Sequence, residues 1–195
     1  ALLDAFGASS AGLYALSESY LYTVEALQAY LGRLRPDGLL SITRWVTLPP
    51  RDTLKLVGMA ARALEANGVE HPERRLVLVR GWRTATLLLK NGDFTATDIA
   101  ALKRFCKARS FDLDWYAGMP ASEANRYNQL DQSWFYDGVR ALFGPGRDAY
   151  IAQYKFDIEP ATDDRPYFFH FFRWQSLVEL LSMRKEGGLP LLEWG

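Results

Sequence analysis

Apolar residues recur at helical spacing over residues 17–34, where Leu21, Val24, Leu27, Leu31 and Leu34 share a face. Ser17 stands where an N-cap would, with Glu18 in the first turn, where the helix dipole favours an anion. Pro36-Asp37-Gly38 spells a turn. The branched and aromatic run from Leu39 to Val46 then predicts a strand, closed by Pro49 and Pro50. A second helix is expected from Asp52 or Thr53 to about residue 66, stopped by Asn67-Gly68. Segments 75–81 and 84–90 read as two strands with almost nothing between them, so they must pair antiparallel. Thr95 and Asp98 form a near capping box, and Phe94 can staple to Ile99. The helix they open should bury Ile99, Leu102, Phe105 and Cys106. Phe111 to Tyr116 alternates apolar and acidic residues, as a half-buried strand does. Residues 122–130 are polar and give no clear element. Asp131 to Phe143 predicts a helix ended by Gly144-Pro145-Gly146.

A strand–helix–strand step favours a parallel sheet with a right-handed crossover. The fold expected is therefore α/β: a partial Rossmann-like sheet whose parallel strands are closed by the antiparallel hairpin. A helical, aromatic-rich C-terminal extension follows. In such sheets ligands bind at the carboxyl ends of the strands. Asp4 lies at one such end, ahead of the small residues Gly7, Ala8, Ser9 and Ser10. Arg44 and Trp45, at the end of the strand over 39–46, point to the same edge.

Composition narrows the chemistry. The chain has 195 residues with 23 Lys+Arg against 23 Asp+Glu, so it lacks the basic excess that phosphate neutralisation needs, and nucleic acid is not an expected partner. A single cysteine, Cys106, excludes an internal disulfide framework and a multi-cysteine zinc site. His71 and His170 lie far apart, in nothing that resembles a metal motif. Between Tyr150 and Trp174 nine residues are aromatic; they either pack a core or make a partner surface. Neither end has the pattern of a natural terminus, so the chain reads as a piece of a longer polypeptide.

Asp4-Ala5-Phe6-Gly7, Leu13-Tyr14, Glu18-Ser19-Tyr20 and Leu34-Arg35-Pro36-Asp37-Gly38-Leu39-Leu40 together resemble the second half of a spermidine synthase-like domain, which has the class I methyltransferase fold. The resemblance identifies the start of the chain with the end of strand four, 39–46 with strand five, and the 75–90 hairpin with strands six and seven. It implies two parts: residues 1–92, the C-terminal half of the methyltransferase-like domain, and 93–195, an α+β extension packed on it. Ala161-Thr162-Asp163-Asp164-Arg165-Pro166-Tyr167-Phe168 is similar to a stretch in bacterial membrane proteins that fuse such a domain to transmembrane helices.

The resemblance implies a transferase that moves an aminopropyl or methyl group from an S-adenosyl cofactor. Asp4 matches the family's acid at the end of strand four, which takes a proton from the attacking amine; an acid capping the following turn is the other reading. Where the family has a second acid, this chain has Gly7. Glu18 and Tyr20 match the family's helix start, though capping and packing account for them too. Arg44 and Trp45 are candidates to line the pocket. Asp163 and Asp164 are candidates to bind substrate, or else turn residues paired with Arg165. No metal ligand is expected. The glycine turn and ribose-binding acid of the fold belong upstream of strand four, so no cofactor is expected on this fragment. S-adenosylmethionine or its decarboxylated form is expected on the intact domain.

The partners implied are the missing N-terminal half and transmembrane segments, with a homo-oligomer also open. Membrane association of the full-length protein follows, with the domain on the cytoplasmic side. Two other functions stay open: a non-catalytic sensing or interaction module that keeps the fold, and an assembly domain whose aromatic half makes the contact.

Overall fold

The computed structural model describes residues 2–4 and 17–173. Its elements are β1 (Leu2–Asp4), α1 (Val24–Arg33), β2 (Leu39–Trp45), α2 (Asp52–Ala66), β3 (Leu76–Arg80), β4 (Thr84–Lys90), α3 (Ala96–Arg109), β5 (Asp112–Trp115), α4 (Trp134–Phe143) and α5 (Arg147–Gln153). The strands form one sheet in the order β1-β2-β4-β3-β5.

The expected mixed α/β class is what forms, but the expected parallel sheet is not. β2, β4, β3 and β5 are antiparallel neighbours, and among the described residues parallel pairing is confined to the three-residue β1 against β2. The hairpin is the reason. Its second strand, β4, fits between β2 and β3 and so meets an antiparallel neighbour on each side.

Alternation along the strands sorts one face into the core. Leu40 and Ile42 of β2 stand beside Leu89 and Leu87 of β4, and these beside Leu76 and Leu78 of β3, all fully buried. α2 packs on β2 and β4, with α1 and α4 against it. Two residues further along, on the same face, the next row reads Arg44–Ala85–Arg80, three buried residues in register. Two arginines thus flank a small alanine, and each needs its own carboxylate.

Several boundaries differ from those the sequence predicts. α1 begins at Val24, not near Ser17, because the Thr23 hydroxyl accepts the Ala26 N–H and caps it there. α3 has its full capping box on Thr95 and Asp98, yet only Cys106 of the expected stripe is buried; Phe105 is 44% exposed. β5 is not half-buried: Asp112, Leu113, Asp114 and Trp115 are all buried. α5, absent from the sequence reading, follows the Gly144-Pro145-Gly146 stop. Of the nine aromatics between 150 and 174, Phe156, Phe168 and Phe171 are buried, Tyr150, Tyr154 and Phe169 pack on the core, and Trp174 lies outside the described residues. That cluster is core rather than a bare patch.

Candidate functional site

The parallel register sets Leu2 against Ser41 and Asp4 against Thr43, so Asp4 stands at the carboxyl end of β2, one residue short of Arg44. Around that end two distant segments run side by side. The Ser19 N–H donates to the Pro166 carbonyl at 2.7 Å and the Val24 N–H to the Ala161 carbonyl at 2.9 Å. The Asp163 N–H donates to Glu25 Oε2 at 3.0 Å. Tyr22 stacks on Phe168 with centroids 4.9 Å apart, closing the seam from below.

Arg44 is sealed beneath this seam. Its guanidinium lies 5.0–5.4 Å from the ring centres of Tyr22, Phe168 and Phe169, and Nη2 donates to Asp52 Oδ2 at 2.9 Å. Only 7% of it is exposed. The expected pocket-lining role is therefore corrected: Arg44 is spent on joining β2, the first turn of α2 and the aromatic seam. Trp45 faces the other way, 46% exposed, with the Arg83 guanidinium 5.8 Å from its ring.

Glu18 and Tyr20 sit on the outer side of the seam, both exposed. The Tyr20 hydroxyl donates to Glu18 Oε2 at 3.1 Å, and that bond together with the Glu18 charge pushes the phenol above its ordinary pKa. Asp163 adds to the same push. Asp163 and Asp164 occupy an exposed turn that the Arg165 N–H closes on the Thr162 carbonyl at 2.9 Å. The edge thus gathers Glu18, Tyr20, Glu25, Asp163 and Asp164 into an acidic, aromatic rim suited to a cation. Among the described residues no group of three or more His, Cys, Asp or Glu could hold a metal ion.

The best-buried charged side chains are none of the expected site residues: they are Lys55, Arg80, Asp112 and Asp114. Lys55, 2% exposed in the first turn of α2, donates Nζ to the carbonyls of Tyr167 at 3.2 Å and His170 at 3.0 Å. Burial pulls its ammonium down to about 8, against the opposing charges of Asp157, Asp52 and Glu159. At the far side of the sheet Arg80 donates Nε to Asp114 and Nη1 to the Asn128 carbonyl at 2.8 Å. Asp112 accepts three successive backbone N–H groups, from Arg126 at 2.6 Å, Tyr127 at 2.9 Å and Asn128 at 2.8 Å. Burial opposes the charge on Asp112, but those bonds outweigh it and hold the carboxyl below its ordinary value. Burial wins at Asp114 and raises its carboxyl in spite of Arg80. The signal was present as acids at alternate strand positions and an arginine ending the neighbouring strand.

Cys106 is 3% exposed, and burial pushes its thiol up to about 11, which leaves it an inert core residue. None of α1, α2 or α3 opens on a glycine-rich turn: their caps are Thr23, Arg51 and Thr95. No helix among the described residues is long and apolar enough to cross a membrane. Compared with protein-family models, with curated proteins and with solved structures, the chain matches none of them.

Proposed function

We propose that this chain is the C-terminal part of a spermidine synthase-like, S-adenosyl-cofactor-dependent transferase domain, with the partial class I methyltransferase-like sheet that the resemblance implies. The observation that carries the reading is the β1–β2 register, which sets Asp4 level with Thr43 at the carboxyl edge. The sheet order supports it as well. β2 and β3 each run antiparallel to β4 and so share one direction, with the later hairpin strand between them.

The chemistry follows from charge. An ammonium cannot attack a sulfonium-bound carbon until it loses a proton, and a carboxylate at the strand end is the group to accept it. The acidic rim of Glu18, Asp163 and Asp164 then favours a cationic amine over a neutral acceptor. In the family the chain resembles, the glycine turn that cradles the cofactor precedes strand four. The domain lies at the cytoplasmic face of a membrane-fused protein.

The test uses a polypeptide carrying this chain with the residues encoded ahead of it. It is incubated with labelled S-adenosylmethionine or its decarboxylated form and a set of amines. Transfer is expected, and Asp4→Asn should lower it by about 10²–10⁴-fold. Absence of transfer with either donor overturns the reading. The 195-residue chain alone should show no micromolar affinity for either donor by calorimetry.

A non-catalytic sensing module is the second reading. Two observations favour it: Gly7 where the family carries a second acid, and the locking of Arg44 into the seam. Amine binding that saturates without turnover, and that Asp163→Asn/Asp164→Asn weakens, would select it.

A further inference from the structure

Cys106 is the one residue of α3 that is fully buried; Ile99 and Leu102 pack half-buried on the core, and the rest of the helix faces solvent or half-faces it. Along it Lys107 lies one turn beyond both Lys103 and Arg104, where side chains at i+3 and i+4 are neighbours. Opposite them stands Arg126, on the loop that Asp112 holds through three N–H bonds. Between helix and loop lies a cleft of about 160 Å³. Lys103, Lys107 and Arg126 form its walls, Cys106 and Leu113 its floor, and Tyr127 its lip, 43% exposed.

The charges there do not cancel. Glu123 is the acid at the cleft, and it is already engaged, accepting Lys103 Nζ at 2.8 Å and the Tyr116 hydroxyl at 2.7 Å. Asp112 and Asp114 are buried and committed to Arg80 and the loop backbone. Arg104 and Lys107 are exposed, and Arg126, also exposed, faces Glu123 only at longer range, behind Lys103. A chain whose total charge is zero thus concentrates cations on one face, around an apolar floor.

We infer that this cleft is a docking site for an acidic peptide segment of a partner protein, one that also presents an apolar side chain. The cations select carboxylates, because charge complementarity at a solvent-exposed rim governs encounter and register. The floor of Cys106 and Leu113 selects the apolar side chain, which a bare phosphodiester strand does not offer. The volume suits one side chain and is well below that of a cofactor pocket, about 300–1,000 Å³. The loop needs no ordering on binding, because Asp112 and Arg80 already fix it.

The probe is a short fluorescein-labelled peptide of Glu and Asp around one central Phe, titrated with the 195-residue chain and followed by anisotropy. Saturable binding is expected, weakened by added salt. Lys107→Glu/Arg126→Glu should weaken it by about tenfold or more, with the thermal melt unchanged because both side chains are exposed. Replacing the peptide's Phe by Ser should weaken binding several-fold. Four results would each overturn the inference: no saturable binding, binding indifferent to the charge reversal, binding indifferent to the loss of Phe, or equal or tighter binding of oligothymidylate or of phosphatidylglycerol vesicles.

Discussion

Lys55 carries its ammonium into the protein and holds the 167–170 turn by two carbonyls. That burial has a pH signature. The folded lysine loses its proton near pH 8, whereas the unfolded one keeps it to about 10.5. Over that window the unfolded state binds more protons, so stability rises with pH. Below about pH 8 both states are protonated and the contribution is flat. At ~1.4 kcal/mol per unit the rise is on the order of 3 kcal/mol across the window. Lys55→Met abolishes the titration, so urea midpoints of the parent, relative to the variant, should climb between neutral and alkaline pH. A constant difference would mean that the amine is hydrated. Asp98 behaves in the opposite sense. Its bonds to Lys90 and Thr95 draw the carboxyl down to about 2. Its support for α3 is present above about 3.8 and fades as pH falls toward 2. Thr95→Ala removes the other half of that capping box and should cost about 1 kcal/mol by urea titration.

Among elements, α2 and α4 meet where Gly138 faces Leu54. A Cβ on residue 138 would stand 2.7 Å from both Leu54 methyl carbons and 3.1 Å from the Tyr150 hydroxyl. Leu54 is fully buried and has nowhere to go. Gly138→Ala gains about 1 kcal/mol of helix propensity but pushes the two helices apart, at a cost of roughly 1–3 kcal/mol. The net expectation is destabilisation, read as a lower urea midpoint. The β3–β5 pairing makes a second case. Arg80→Met strands Asp114 and should cost about 3–5 kcal/mol. Removing the carboxylate as well, in Arg80→Met/Asp114→Leu, should recover most of that. The same elements explain what the sequence discloses. β2, β3, β4 and α2 are legible because their apolar runs are bounded by Pro, Gly and Asn. β5 is misread because alternation of Asp and Leu reports two faces without saying that water touches neither; only a buried Arg80 makes the acidic face an interior one. α1 is misread at its start because Ser17-Glu18 has the pattern of a cap, whereas Ser19 and Val24 bond instead to Pro166 and Ala161, far along the chain. The candidate site divides in the same way. Asp4 at a strand end is readable locally, whereas the meeting of Glu18, Tyr20 and Asp163 depends on a pairing between segments about 140 residues apart in sequence, as the Asp163–Glu25 bond shows. That separation gives no local signal.

At the scale of the molecule, residues before and after 92 share one core. Phe135, Leu142, Ile158 and Phe168 are as buried as Leu54, Val57 and Leu87, in one continuous cluster. The closing segment is tied down at several points: Ala161 and Pro166 bond to the Ser19–Val24 stretch, Lys55 holds Tyr167 and His170, and the Asp157 N–H donates to the Phe171 carbonyl at 3.0 Å. Removing residues beyond 92 would bare the outer side of α2, which is buried along almost its whole length, including Leu56, Met59 and Ala60. A fully buried apolar side chain is worth roughly 1.5–3 kcal/mol, and a domain's whole stability is only about 5–15 kcal/mol. A chain ending at residue 92 should therefore fail to fold: no cooperative urea transition, no dispersed amide spectrum and binding of a hydrophobic dye. Phe168→Ala in the whole chain is the milder version. It empties the centre of the Tyr22–Phe168–Phe169 seam beside Arg44, and should cost about 3–5 kcal/mol. Proteolysis should then open the chain between residues 156 and 173 before the sheet. A cooperative transition from the 92-residue piece would mean that the later half is an addition to a finished core rather than part of it.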